Sequence, residues 1–314
     1  MNRRATVAVG LVAWCVGWAC AAQSAIGEEP LVVREIARGI YVHAGLQEEA
    51  SPSNRGDIAN VGFVVGATCV AVIDTGGTLA VGRALRAAVR RVSALPVCFV
   101  VNTHVHPDHV FGNAAFIDER PEFVGHARLA AAMAARGENY ERALLRDLGD
   151  VASGSTMVSP TSDVEQTRTI DLGGRVLQLR AWPSAHTDDD LTVFDEATGT
   201  WWLSDLLFVE RVPVVDGSVR GWLKALAELR SWPAPAHVVP GHGPVDSPWA
   251  KSLDDERRYL ETVVREVRAA IKAGRSMQQT VDTAGQSEQP RWLLFDRYHR
   301  RNVTAAFAEL EWED

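Results

Sequence analysis

The sequence has no dense cluster of lysine and arginine. Its formal charge is −8 over 314 residues, and the basic stretches "RRV" (90–92) and "RYHRR" (297–301) are short enough to be solvated helix faces. A nucleic-acid partner depends on clustered positive charge and is not expected. The acidic balance also weighs against strongly anionic substrates, although bound metals would offset it locally. After the first two dozen residues no apolar run is long enough to span a bilayer. Cysteine is scarce, 4 in all. No Ser–His or Cys–His pair stands out as a covalent catalyst.

What is present begins at the N-terminus. "MNRR" precedes "ATVAVGLVAWCVGWACAA". Two arginines, an apolar run and then small residues make the pattern of a secretory signal peptide. Ala19-Cys20-Ala21 and Ala22-Gln23-Ser24 both suit cleavage. We expect residues 1–24 to be removed, no membrane span to remain and the mature protein to be periplasmic. Cys15 and Cys20 would leave with this segment. Cys69 and Cys98 remain, in the runs "CVAVIDTG" and "VCFVVNTH". Two thiols are expected there rather than a disulfide, because bridges between adjacent strands are geometrically demanding.

The body of the chain alternates strand-like and helix-like stretches. "NVGFVVG", "CVAVIDTG" and "VCFVVNTH" are short apolar runs of buried strands. "TLAVGRALRAAVRRVSAL" has helical spacing with Thr78 as N-cap. Residues 127–149 read as helix broken at Gly137, and 150–166 as loop. Two hairpins follow, turning at Gly173-Gly174 and near Ala197–Gly199. A helix opens at Ser218, "HVVPGHGP" is a strand ending in a Gly-rich loop, and the stretch from Pro248 onward is mostly helical. Strands with outer helices occur twice over, which predicts an α/β fold with two sheets in a four-layer αββα sandwich.

The chain has 9 histidines, and three of them crowd into "HVHPDH", residues 104–109. Each chemically notable residue follows an apolar run: Asp74 after "VAVI", the 104–109 group after "CFVVNT", His186 after "LQLRAWPSA", Asp205 after "TWWLS", His242 after "HVVPG". Strand ends are where layered α/β folds build sites. An isolated histidine is ordinarily a packing residue; five with acids at strand termini point to metal. Residues two apart in extended chain face one way, so His104 and His106 can reach one ion together. Asp108 and His109 enter a helix and can face a second. Imidazole with carboxylate suits Zn²⁺, with iron and manganese as other metals such donors accept. By contrast, His43 and His237 within strands read as packing or supporting residues, and His126 and His299 as ordinary helix positions.

"THVHPDH", His186, "SD" at 204–205 and "GHG" at 241–243 resemble the metallo-β-lactamase superfamily over residues 31–250. The resemblance implies the αββα fold, with the helices of 251–314 packed on the same domain. It implies a first metal on His104, His106 and His186, a second on Asp108, His109 and His242, and Asp205 bridging two zinc ions. Asp108 and Asp74 are the candidate catalytic acids, Asp74 by orienting the site. "NRGDIANVGFVVG", "DGSVRGW" and "YHRRNVTAAFAELEWE" are more specifically similar to the zinc metallohydrolases of quinoprotein relay systems, relatives of a sulfur-oxidation accessory hydrolase. That likeness implies a small-molecule substrate and a place near periplasmic quinoproteins and c-type cytochromes. Three functions follow as expectations. One is two-zinc hydrolysis of an ester, thioester or lactone. Another is iron-dependent oxygenation of persulfides on His104, His186 and Asp205. The last is a non-catalytic accessory role for a quinoprotein.

Overall fold

The computed structural model describes residues 29–313, so the expected signal segment lies outside the described residues. The chain opens with β1 (Arg34–Ala37), β2 (Ile40–His43), β3 (Val61–Val65) and β4 (Val70–Ile73), followed by α1 (Leu79–Val92). Thr78 caps α1 by accepting a hydrogen bond from the Val81 N–H, as its sequence position predicts. Then come β5 (Val97–Val101), the short α2 (Pro107–Val110), β6 (Glu122–His126), α3 (Leu129–Leu148) and β7 (Ser162–Val164). These strands form one seven-stranded sheet in sequence order, antiparallel up to β4 and parallel from there.

The second half supplies β8 (Thr167–Asp171), β9 (Val176–Ala181), β10 (Leu191–Asp195) and β11 (Thr200–Phe208). After α4 (Val219–Ser231) comes β12 (His237–His242), then α5 (Trp249–Lys272), α6 (Met277–Val281) and α7 (Phe295–Leu310). The second sheet runs β12-β11-β10-β9-β8, with only the β11–β12 pair parallel.

The period-2 alternation of the strands assigns their faces. In β4, Ala71 and Ile73 join the core between the sheets, while Val70 and Val72 face α1. Leu177, Leu179, Val193 and Trp202 meet the first group from the other sheet. Val81, Leu85 and Val89 of α1 cover one outer face, and Trp222, Tyr259, Val263 and Val303 of α4, α5 and α7 cover the other. The layers are therefore α, β, β, α, as expected.

Local expectations needed correction in four places. Gly137 does not break α3: it is buried within a continuous helix, with the Met157 side chain beside it. The stretch 150–166 is not all loop: β7 adds a parallel edge to β6, with Ser162 opposite Val124. His126 ends strand β6 rather than lying in a helix. Asp205 is not at a strand end; β11 runs on to Phe208 beyond it. Cys69 and Cys98 are free thiols. No helix among the described residues is long and apolar enough to cross a membrane.

Candidate metal centre

The first sheet delivers its residues from the loops that leave its parallel strands. Asp74 follows β4 with φ 54°, a left-handed conformation that costs a non-glycine residue on the order of 1 kcal/mol or more. The strain is held by bonds: Asp74 Oδ1 accepts from the Thr103 N–H at 2.8 Å and Oδ2 from the Thr103 hydroxyl at 2.8 Å. His104 and His106 occupy the turn after β5, and Pro107 starts α2, which presents Asp108 and His109. The second sheet answers with His186 from the loop after β9, Asp205 from β11 and His242 from the end of β12. Within β11 the register against β12 shifts at Ser204, whose φ is 47°. This bulge is what turns a mid-strand aspartate into the site. Gly241 lies against it on β12: a Cβ there would collide with Asp205 Oδ1.

The seven residues come together as two groups. His104, His106, His186 and Asp205 can offer one ligand atom each to a common ion, and so can Asp108, His109 and His242. His186 Nε2 lies 2.9 Å from His106 Nδ1 and 3.3 Å from His104 Nε2. Asp205 Oδ2 is 3.3 Å from His186 Nε2 and 3.4 Å from His242 Nε2. Asp205 therefore touches both groups. Its Oδ1 is 3.1 Å from His109 Nε2, and Asp108 Oδ2 is 3.3 Å from His242 Nε2.

Every ring is anchored by its outward nitrogen. His186 donates from Nδ1 to the Val214 carbonyl at 2.7 Å, and His242 to the Ile58 carbonyl at 2.8 Å. His109 donates from Nδ1 to Asp74 Oδ2 at 2.8 Å. His104 Nδ1 is 3.1 Å from the Thr103 hydroxyl, whose proton serves Asp74. His106 turns the other way and donates from Nε2 to Asp216 Oδ2 at 3.1 Å. Each bond fixes a tautomer and leaves the inward nitrogen with a bare lone pair, as metal-binding imidazoles require.

Electrostatics agree with that arrangement at His104 and His186 and differ at His109, where the surrounding carboxylates favour the charged ring. Burial, then the neighbouring His109, holds His104 well below the usual histidine value, and burial takes His186 down to about 3. Burial opposes a charge on His109 too, but Asp205, Asp74 and Asp108 outweigh it and raise it well above. Burial would raise Asp205, yet the surrounding histidines hold it well below the carboxylate range. His109 Nε2 and Asp205 Oδ1 are buried and close, but neither is aligned for a hydrogen bond. Orphaned buried donors and acceptors are rare. Here a cation between them would satisfy both, so the donor set fits metal.

A family model described as the metallo-beta-lactamase superfamily matches residues 54–258, more than half of the chain. The chain belongs to the metallo-beta-lactamase superfamily. Among curated relatives it is 24% identical over 237 residues to a linear primary-alkylsulfatase of Pseudomonas sp. (strain ATCC 19151), covering 64% of this chain and 43% of that protein. The chain thus spans less than half the length of that relative. A metallo-beta-lactamase from Pontibacter korlensis superposes with a TM-score of 0.57 at 20% identity, covering 74% of this chain and 99% of that one. A double mutant of the sec-alkyl sulfatase PisA1 reaches a TM-score of 0.64 at 16% identity, over 90% of this chain and 50% of that one. At such identities the structural likeness speaks for the fold. The His/Asp cluster suits a metal site as in this superfamily.

Several residues of the site escaped the sequence reading. Asp216 braces His106 and also binds Arg136 at 2.8 Å and Arg301 at 2.7 Å. Thr103 and Ser204 join Asp74 to His104, with 2.7 Å between the two hydroxyls. Tyr140, Arg211, Tyr298 and Arg301 line the cavity over the cluster. Only "DGSVRGW" and "YHRRN", noted for their resemblance, pointed near them.

Proposed function

We propose that the protein is a two-metal hydrolase, with zinc the expected metal, acting on an ester, thioester or lactone. The observation that carries this reading is Asp205, one carboxylate shared by two imidazole-rich groups. A single structural zinc site is ordinarily closed by four ligands, whereas seven donors stand here in two adjoining groups. His104, His106 and His186 would hold one ion, Asp108, His109 and His242 the other, with Asp205 common to both. When bound, the pair would supply an activated water and Lewis-acid stabilisation of the oxygen charge that develops during hydrolysis. The protein's own part is positioning. Asp74 holds His109, the Val214 and Ile58 carbonyls hold His186 and His242, and Phe208 packs against both of those rings, with centroids 5.6 and 5.0 Å away. Asp108 lines the cavity, and its side chain is more exposed than that of Asp205, 18% against 4%.

Sulfate esters are a second substrate class, favoured by the likeness to a linear primary-alkylsulfatase. We further propose export through residues 1–24, a periplasmic location and work beside quinoproteins or c-type cytochromes, on the strength of the sequence resemblance. The test is metal analysis of purified protein joined to hydrolysis of an ester and thioester panel. About two zinc ions per chain, with activity lost on chelation and restored by zinc, is the expected result. One iron per chain with oxygen uptake on persulfides would replace this reading with the oxygenase.

A further inference from the structure

The cavity above the cluster has a volume of about 310 Å³, and its floor includes His106, Asp108, Asp205 and His242. Arg211 stands in its wall and is only 3% exposed. A guanidinium is a fixed positive charge with five donors, and burying one without a counter-ion is costly. The neighbouring arginines are matched: Arg136 and Arg301 share Asp216, and Arg297 binds Glu49 at 2.8 Å. Among the described residues Arg211 pairs with no carboxylate. Its contacts are the Tyr298 hydroxyl at 3.2 Å and a long approach to the Glu48 carbonyl at 3.4 Å. His242 Nδ1 is 3.3 Å away but gives its proton to Ile58, and Arg211 Nε has no hydrogen-bond partner among the described residues.

The backbone holds this charge in place. Glu210, with φ 64°, and Arg211 form a tight corner after β11, with the Arg211 N–H donating to the Val209 carbonyl at 2.7 Å. The segment before α7 clamps the corner: Leu293 donates to the Glu210 carbonyl at 2.7 Å, and Val212 donates to the Leu293 carbonyl at 3.0 Å. Tyr298 comes from α7 itself and lies under the guanidinium, 5.4 Å from its ring centre. A buried, rigidly held cation in the wall of a substrate-sized cavity, with no carboxylate of the described residues in ion-pair contact, is open to pairing with an anion that enters.

We propose that Arg211, with the Tyr298 hydroxyl beside it, is an oxyanion-recognition site for a carboxylate or sulfate group of the substrate. This rests on the hydrolase reading and narrows its substrate class to anionic esters. It also reverses, locally, what the acidic net charge suggested. The first test needs no turnover: methanesulfonate is titrated calorimetrically into zinc-loaded wild type, Arg211→Gln and Arg211→Lys proteins. Wild-type binding, weakened roughly ten- to hundredfold in the Gln variant and partly kept in the Lys variant, is expected. Equal binding by all three, or none by the wild type, overturns the proposal. So does a folded Gln variant that has lost zinc, since Arg211 would then serve His242.

The second test compares 4-nitrophenyl acetate with 4-nitrophenyl hydrogen succinate, and adds 4-nitrophenyl sulfate. A lower KM for the succinate, abolished by Arg211→Gln, assigns a carboxylate to Arg211. Turnover of the sulfate, competitively inhibited by methanesulfonate, assigns a sulfate. A loss equal on neutral and anionic esters makes Arg211 structural and overturns the proposal. If the Gln variant does not fold, absence of any anionic preference in the wild type does the same. Hydrolysis of none of the three removes activated oxygen esters from the hydrolase reading and leaves the methanesulfonate titration to judge Arg211.

Discussion

Two sets of buried acids lie almost side by side and behave in opposite ways. Asp205 and Asp108 sit among histidines; burial pushes them up, the imidazoles pull harder, and both end below the carboxylate range. Asp190 and Glu256 lie just outside that cluster. Burial raises both well above, and the hydrogen bonds they accept do not reverse it. Asp190 accepts from the Thr187 hydroxyl at 2.6 Å, while Glu256 accepts only the Phe208 N–H at 3.0 Å. Asp205 and Glu256 are near enough for the charge of one to raise the other. The same desolvation is thus outweighed by neighbouring imidazoles in one region and left to raise the acids in the other. The first region favours negative charge, ready for cations; the second favours the neutral acid.

The sharpest way to break this contrast is Asp205→Asn. The amide keeps the shape and removes the charge shared by both groups. We expect loss of the second ion and a fall in kcat/KM equivalent to several kcal/mol of transition-state stabilisation. Mass-spectrometric metal content and chelator-dependent activity check it, and two ions still bound at full activity would remove Asp205 from the site. Asp74→Asn should do less. Asp74 is buried behind the cluster and acts through His109, so its loss should weaken metal binding about 10- to 100-fold. A zinc titration against a competing chelator measures this, and an unchanged affinity would make Asp74 a purely structural support of Thr103.

How much of this was legible in the sequence follows from which forces are local. "HVHPDH" announces its chemistry because a turn into a helix puts four donors in six residues. The strand runs before Asp74 and His242 are likewise short-range patterns. Asp205 was picked out by the apolar run before it and given its bridging role by resemblance, but it was misplaced within its strand, since the bulge at Ser204 depends on pairing with β12 rather than on nearby residues. Asp216, Arg211 and Tyr298 were missed for a related reason. Their roles arise where the loop after β11 meets α7, contacts between positions some 80 to 90 apart in sequence. Gly137 misled because a helix-weakening residue of about 1 kcal/mol is easily outweighed by tertiary packing.

The smallest expected effect tests the neutral side of the contrast. Glu256 Oε2 has no hydrogen-bond partner among the described residues, and the residue is 0% exposed in the core beneath Phe208. Its folded value is raised, so the sign is fixed: its contribution to stability is fully present below the unfolded value of about 4.3 and is lost as pH rises toward the folded one. Glu256→Gln keeps an acceptor for the Phe208 N–H and cannot ionise. The variant should gain on the wild type as pH climbs above about 4.3, by at most about 1.4 kcal/mol per pH unit, and the gain should level off once the folded carboxyl ionises. Urea unfolding of the metal-free proteins between pH 4 and 8 reads this difference directly. A difference that does not change with pH would show that Glu256 is ionised in the folded protein, and that the acids on both sides of Phe208 carry charge alike.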